Sequence, residues 1–285
     1  MTKYLSIIIP SYNRLDELIE LLPTLEKQTL DPSRFEVIIV DDGSTDNSES
    51  FVEDYIKTTR LKISFYKQQN QGPGKARNLG MEHASGDFYI FLDSDVILPN
   101  HWAEAVYNQI NAEQLDAFGG PDKAHHSFSA LLKAIDYSMT SFITTGGLRG
   151  KKGKKLAKFF PRSFNMGLSK AIYDKIGGFG NLRHGQDIEY SNRIIKSGAK
   201  VGFIADAYVY HKRRTSLKKF FKHAFNWGVA RINLYRLDSS MLEPLHCVPA
   251  IATAIFILIC LLGLISPVFQ FMFQLMMSAM VLVFI

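Results

Sequence analysis

The sequence predicts an α/β protein: a mostly parallel sheet flanked by helices, followed by a C-terminal basic amphipathic helix and an apolar, membrane-spanning helical hairpin. Three observations predict it. Short β-branched runs alternate with segments of helical period. Each run ends in polar or small residues, so four loops gather at one sheet edge, where ligands of such folds collect. No Asp, Glu, Lys or Arg follows Glu243.

In chain order, Leu5 to Ile9 reads as a strand and Leu15 to Gln28 as a helix. Glu36 to Val40, Ile63 to Tyr66 and Phe88 to Leu92 read as further strands, separated by helices over Ser48 to Lys57 and Gly74 to Ala84. The loops that follow are Pro10-Ser-Tyr-Asn13, Asp41-Asp-Gly-Ser-Thr45, Asn70-Gln-Gly-Pro-Gly74 and Asp93-Ser-Asp95. Beyond Gly119-Gly-Pro121 the pattern becomes mixed. Phe164 to Leu168 is a strand, Lys170 to Ile176 a short helix and Gly177-Gly-Phe-Gly180 a loop. A helix opens at His184-Gly-Gln-Asp187 and runs to Lys196, and Val201 to Ile204 and Tyr208 to Tyr210 are strands, the second ending at His211. Leu217 to Tyr235 is helical, with Phe221, Phe225, Gly228 and Ile232 at helical spacing.

The tail holds two apolar runs, Cys247 to Ile265 and Val268 to Ile285, each about as long as a bilayer-spanning helix requires, with Pro267 as the turn. It stops inside an apolar run, as a fragment of a longer chain would. Leu5 to Ile9 is too short for a cleavable signal, so the catalytic part is expected on the cytoplasmic face of the membrane. Cys247 and Cys260 lie in the tail and offer neither a disulfide framework nor a thiolate metal site.

The net charge of +6 conceals two basic patches. Arg149 to Lys158 and His211 to Lys222 each hold six Lys or Arg and no acid. The second precedes the amphipathic helix and the tail, as expected for an anionic membrane surface. Neither patch carries a groove-binding motif, so nucleic acid is not the expected partner. The first is flanked by glycines and reads as a loop, either solvated or serving as a lid over an anionic substrate.

Asp93 and Asp95 close a buried strand with carboxylates spaced to point the same way, suited to a hard divalent cation. Asp41 and Asp42 end another strand, where they accept hydrogen bonds from a base or ribose or cap the next helix. Gly72, Gly74, Lys75, Arg77 and Asn78 form a glycine-rich helix entrance suited to a diphosphate, although it is neither a Walker loop nor a dinucleotide fingerprint. Asp187 stands near a helix start, where the backbone dipole favours a carboxylate and a nearby hydroxyl can pass it a proton. A lone histidine after a strand, such as His211, is more often structural than a ligand.

Taken together, Ser6-Ile-Ile-Ile-Pro-Ser-Tyr-Asn-Arg14, Val37-Ile-Ile-Val-Asp-Asp-Gly-Ser-Thr-Asp46, Gly72-Pro-Gly-Lys-Ala-Arg-Asn-Leu-Gly80, Phe91-Leu-Asp-Ser-Asp95, Gly177-Gly-Phe179, Gln186-Asp187, Arg193 and Val209-Tyr-His211 resemble the family 2 glycosyltransferases. The resemblance covers roughly residues 4 to 211 and implies the Rossmann-like GT-A fold. It implies that Pro10, Tyr12 and Asp42, with Asp41 beside it, hold the base and ribose of a sugar nucleotide, and that Arg77 lies near the diphosphate. Asp93 and Asp95 match the family's DxD element, with Asp95 the direct ligand of Mn2+ or Mg2+ and Asp93 also reaching toward the ribose. His211 matches a histidine that completes the metal and diphosphate site in some members, and Asp187 matches the catalytic base. Gln186 departs from the Glu that many relatives carry, which puts acceptor positioning in question. The implied reaction is an inverting transfer from a nucleoside diphosphate sugar, with UDP the expected nucleotide, to a lipid-linked or saccharide acceptor at the membrane. A nucleotidyltransferase would carry a basic glycine-rich loop after the first strand, which this chain lacks, and a non-catalytic scaffold would not need Asp93, Asp95 and Asp187 together. The expected organisation is a transferase domain over 1–212, with a nucleotide-sugar half to 120 and an acceptor half after it, an interfacial segment over 213–246 and the hairpin over 247–285.

Overall fold

The computed structural model describes residues 3–125, 128–140, 159–212 and 216–284. The basic segment Arg149 to Lys158 lies outside the described residues. Strands β1 (Leu5–Ser11), β2 (Phe35–Asp41), β3 (Ile63–Lys67) and β4 (Phe88–Leu92) alternate with helices α1 (Leu15–Glu26), α2 (Ser48–Thr58) and α3 (Pro73–Glu82). Next come β5 (Val96–Ile97), α4 (Trp102–Ala112), β6 (Ala117–Gly119), β7 (Asp122–Lys123) and α5 (Ala130–Thr140). The second half continues with β8 (Asn165–Ser169), α6 (Lys170–Ile176), α7 (Gln186–Lys196), β9 (Val201–Phe203) and β10 (Val209–His211). Helices α8 (Leu217–Leu237), α9 (Pro244–Gly263) and α10 (Pro267–Phe284) end the described chain.

Seven strands form one sheet in the order β3-β2-β1-β4-β8-β6-β9. β1 to β4 are mutually parallel, and β8 alone runs against its neighbours β4 and β6. The chain steps outward from β1 through β2 to β3, then returns to the other side of β1 with β4. That reversal makes the C-terminal ends of β1 and β4 the crevice of the sheet.

Alternate side chains of each central strand enter two different cores. Ile7, Ile9, Val37, Ile39 and Ile90 face α1 and α4, where Leu18, Leu22, Trp102 and Val106 are buried. Ile8, Ile38, Val40 and Phe91 face α3 and α7, with Ala76, Met81, Tyr190 and Ile194. Burial on both faces explains why these strands read as unbroken apolar runs. Gly80 lets α3 lie directly on β1, because a Cβ there would meet Ile8 Cγ2 at 2.4 Å.

A second sheet, in the order β5-β10-β7, lies against the crevice. Its two- and three-residue strands carry no periodic signal, and neither β5, β6 nor β7 was expected from the sequence. α4 was also unexpected, although Trp102, Ala103, Val106 and Ile110 follow helical spacing.

Met1–Trp227 and Gly228–Ile285 form separate compact units. In the second, α9 packs on α10 through contacts that include Phe256 and Phe273, whose rings lie 5.9 Å apart. The expected pair of helices is therefore present. Among the described residues, one of them, through His246–Gly263, is long and apolar enough to cross a bilayer, and the fold shown is an α/β domain with a helical tail.

Candidate active site

β4 delivers Asp93 and Asp95 to the crevice, and the small sheet brings His211 to them. His211 pairs with Val96 in the β10–β5 register, one residue beyond Asp95. The Lys212 N–H continues the pairing by donating to the Asp95 carbonyl (2.9 Å). This register holds His211 Nε2 3.1 Å from Asp95 Oδ1. On its other side, Nδ1 faces Asp122 Oδ2 at 3.8 Å, because β7 pairs with β10 one residue earlier. Burial works against a charge on His211, but Asp95 and Asp122 prevail and raise its pKa to about 10.

One donor atom each from Asp93, Asp95 and His211 falls within 4.8 Å of the others. Once a cation displaces the His211 proton, two carboxylates and an imidazole on this scale fit a divalent metal, and the nitrogen donor favours Mn2+ over the more strictly oxygen-seeking Mg2+. Asp93 Oδ1 also accepts a 2.6 Å bond from Arg77 Nη2, whose side chain is 5% exposed. Arg77 lies over the Phe179 ring at 5.4 Å, and the Phe179 N–H donates to Asn78 Oδ1 (2.7 Å) while Asn78 Nδ2 donates back to the Phe179 carbonyl. The Gly177-Gly-Phe179 loop is thus clamped to α3 beside Asp93.

On the β1–β2 side, Tyr12 is 47% exposed just beyond Pro10 on β1. Asp41 and Asp42 are buried, and the chain itself supplies them with donors. Asp41 accepts from the Ser44 N–H (2.9 Å) and hydroxyl. Asp42 accepts from Gln68 Nε2 (2.6 Å), Gln71 N–H (2.8 Å) and Gly72 N–H (2.8 Å), so its carboxylate shapes the glycine-rich entrance to α3. An open groove lined by Gly43, Ser44, Lys67, Gln68, Gln69 and Asn70 runs beside this loop.

Asp187 occupies the first turn of α7 after Gly185, whose φ of 86° lies in the left-handed region that favours glycine. Arg162 Nη1 lies 3.2 Å from Asp187 Oδ2, and the Ile188 N–H donates to Oδ1 (2.9 Å). Two features connect this carboxylate with the side of the crevice that holds Asp93, Asp95 and His211. Gln186 lies directly against Gly74, where a Cβ would approach its side chain to 2.7 Å. Two residues beyond Arg162, Phe164 lies 5.0 Å from the His211 ring, so one short segment spans from Asp187 to His211. Asp122, Arg162 and Phe164 were not legible as site residues. Asp122 stands on a two-residue strand, and Arg162 and Phe164 gain their meaning from contacts across the fold.

A family model described as "Glycosyl transferase family 2" matches residues 6–177. The chain is a family 2 glycosyltransferase. Among relatives of this glycosyltransferase, poly(ribitol-phosphate) beta-N-acetylglucosaminyltransferase TarS of Staphylococcus aureus is 38% identical over 128 residues, which are 45% of this chain and 20% of TarS. Glycosyltransferase AglE of Haloferax volcanii is 25% identical over 236 residues, covering 82% of this chain and 75% of AglE. The mannosyltransferase PcManGT of Pyrobaculum calidifontis, solved with GDP-Man and Mn2+, shares the fold at a TM-score of 0.67 and 19% identity, over 83% of this chain and 65% of that one. TarS residues 1-349 with UDP align at a TM-score of 0.57 and 25% identity, over 81% of this chain and 66% of that one.

Proposed function

We propose that this glycosyltransferase moves a sugar from a nucleoside diphosphate donor, with UDP as the nucleotide, to a hydroxyl of a lipid-linked or saccharide acceptor at a membrane, inverting the anomeric carbon. The observation that carries the reading is the convergence of Asp93, Asp95 and His211, with donor atoms within 4.8 Å, at the sheet's crevice. The Arg162–Phe164 segment then links that group to Asp187. The UDP complex of TarS and the GDP-Man and Mn2+ complex of PcManGT support the donor class and the metal.

Asp93, Asp95 and His211 would hold Mn2+, or Mg2+ less favourably. A bound divalent cation supplies electrostatic stabilisation to the departing diphosphate. The chain adds Arg77 and the N–H groups at the α3 entrance on the same side. Pro10 and exposed Tyr12 offer a surface for the base. Asp41 and Asp42 hold the loops that frame the base and ribose. Asp187 takes the proton of the acceptor hydroxyl, whose oxygen attacks the anomeric carbon opposite the diphosphate. One displacement of this kind inverts configuration.

Membrane association rests on α8 and the tail. Phe221 and Phe225 are 74% and 65% exposed on one face of α8, Ile232 and Tyr235 continue that face, and Lys218 and Lys222 flank it. An apolar face beside cations suits an anionic leaflet. In this reading 1–212 is the transferase domain on the cytoplasmic face, 213–246 lies at the interface and 247–285 enters the bilayer.

Asp187→Asn tests the base. The variant should keep the metal-dependent rise in Tm produced by the matching nucleotide sugar, found by screening UDP and GDP sugars, and lose transfer. Full transfer by that variant rejects the role.

A further inference from the structure

The segment leading into β8 is fixed at both ends. The buried Ser191 hydroxyl on α7 donates to the Pro161 carbonyl (2.6 Å). At the other end, Asn165 accepts from Trp102 Nε1 (3.1 Å) and donates to the Ala207 carbonyl (2.7 Å). Arg162 therefore projects from an anchored backbone toward Asp187. The two side chains are 29% and 26% exposed, so the pair is reached from solvent while its backbone is locked. Glu189 on the same helix is engaged by Arg193 at 2.6 Å, and α3 meets the start of α7 through Gly74 and uncharged Gln186.

This geometry conflicts with proton acceptance as it stands. Asp187 Oδ2 faces the guanidinium and Oδ1 receives the Ile188 N–H. A proton arriving on Asp187 would also leave Arg162 without its countercharge. The conflict disappears when another anion takes the guanidinium, whose planar fork matches a phosphate or carboxylate with two parallel N–H donors. We propose that Arg162 receives an anionic group of the acceptor, a phosphate or carboxylate close to the attacking hydroxyl, and restrains Asp187 until that group arrives. The proposal rests on Asp187 as the base.

With the acceptor anion on Arg162, the acceptor O–H bond breaks and its proton passes to Asp187 Oδ2. The oxygen bonds to the anomeric carbon with the released electron pair. The bond from that carbon to the diphosphate oxygen breaks, and the diphosphate leaves with those electrons. Water follows the same balance without acceptor, and there the Arg162–Asp187 pair suppresses loss of the donor by hydrolysis.

The test compares the full chain with Arg162→Gln and Arg162→Lys, measuring acceptor-free hydrolysis of UDP and GDP sugars with and without added phosphate. Inorganic phosphate should stimulate wild-type hydrolysis. Arg162→Gln should hydrolyse roughly three- to tenfold faster without phosphate, and phosphate should not stimulate it further. Arg162→Lys should recover part of the phosphate response. Methyl phosphate acting as well as a micellar long-chain alkyl phosphate identifies a soluble anion, whereas a response confined to the alkyl phosphate identifies a lipid headgroup. A second measurement does not need turnover: with UDP and Mn2+ filling the donor side, inorganic phosphate should raise Tm in wild type and Arg162→Lys and not in Arg162→Gln. Equal phosphate responses in wild type and Arg162→Gln overturn the proposal. Where wild-type hydrolysis falls below detection, the thermal measurement judges Arg162, and failure of every UDP and GDP sugar to raise Tm with Mn2+ refutes the transferase reading instead.

Discussion

Asp95 and His211 meet because strand register places them opposite each other, at 3.1 Å, and Asp122 supports the imidazole from behind. Cation binding at this group should therefore depend on both residues unequally. Asp95→Ala removes an oxygen donor and leaves His211 with Asp122 alone, whereas His211→Gln keeps both carboxylates of the cluster. Titration of Mn2+ in the presence of the donor nucleotide should show a large loss of apparent affinity for Asp95→Ala and a smaller one for His211→Gln. Affinity unchanged in Asp95→Ala would remove that residue from the metal site. Asp93 and Asp95 were legible because a continuous apolar strand ended in them. Arg162 was not, since an arginine ahead of a strand has no significance until α7 carries Asp187 to it.

At the scale of elements, the site depends on how closely α3 approaches β1. Arg77 and Asn78 both project from α3, one to Asp93 and the other to the Phe179 backbone. Their reach is set by Gly80, where added atoms would strike Ile8. Gly80→Val should overpack this contact, cost about 1–3 kcal/mol and lower Tm by several degrees. It should also weaken the donor-induced thermal shift, because α3 carries outward the groups proposed to meet the diphosphate. Gly228→Ala is the control, since a Cβ there meets nothing within 4 Å and alanine favours a helix by roughly 0.5–1 kcal/mol. Unfolding curves of the two variants check the contrast. The parallel strands and their helices follow from patterning, because two-sided burial demands unbroken apolar runs. β5, β6 and β7 are too short for a pattern, and their existence depends on partners distant in the chain.

For the whole molecule, the proposed membrane surface gives a spectroscopic prediction. Trp102 is fully buried and Trp227 lies about 120° around α8 from Phe221, so neither reports on the apolar face, whereas half-exposed Tyr235 does. In a Tyr235→Trp chain, vesicles containing phosphatidylserine should shift the emission to the blue, with a smaller effect from purely zwitterionic vesicles. Phe221→Glu with Phe225→Glu should abolish the difference between the two compositions. Identical spectra with and without vesicles in the Tyr235→Trp chain would contradict interfacial binding by α8.

Local chemistry alone determined the alternation of strands and helices, the loops at one sheet edge and the apolar tail, since periodicity and charge act over a few neighbouring residues. The motifs in those loops identified the carboxylates of the candidate site. Only the tertiary structure decided that Asp42 organises the glycine-rich loop, that Asp122 supports His211 and that Arg162 faces Asp187. Each of those relations joins residues far apart in sequence, and strand order, register and helix packing alone bring their side chains within bonding distance.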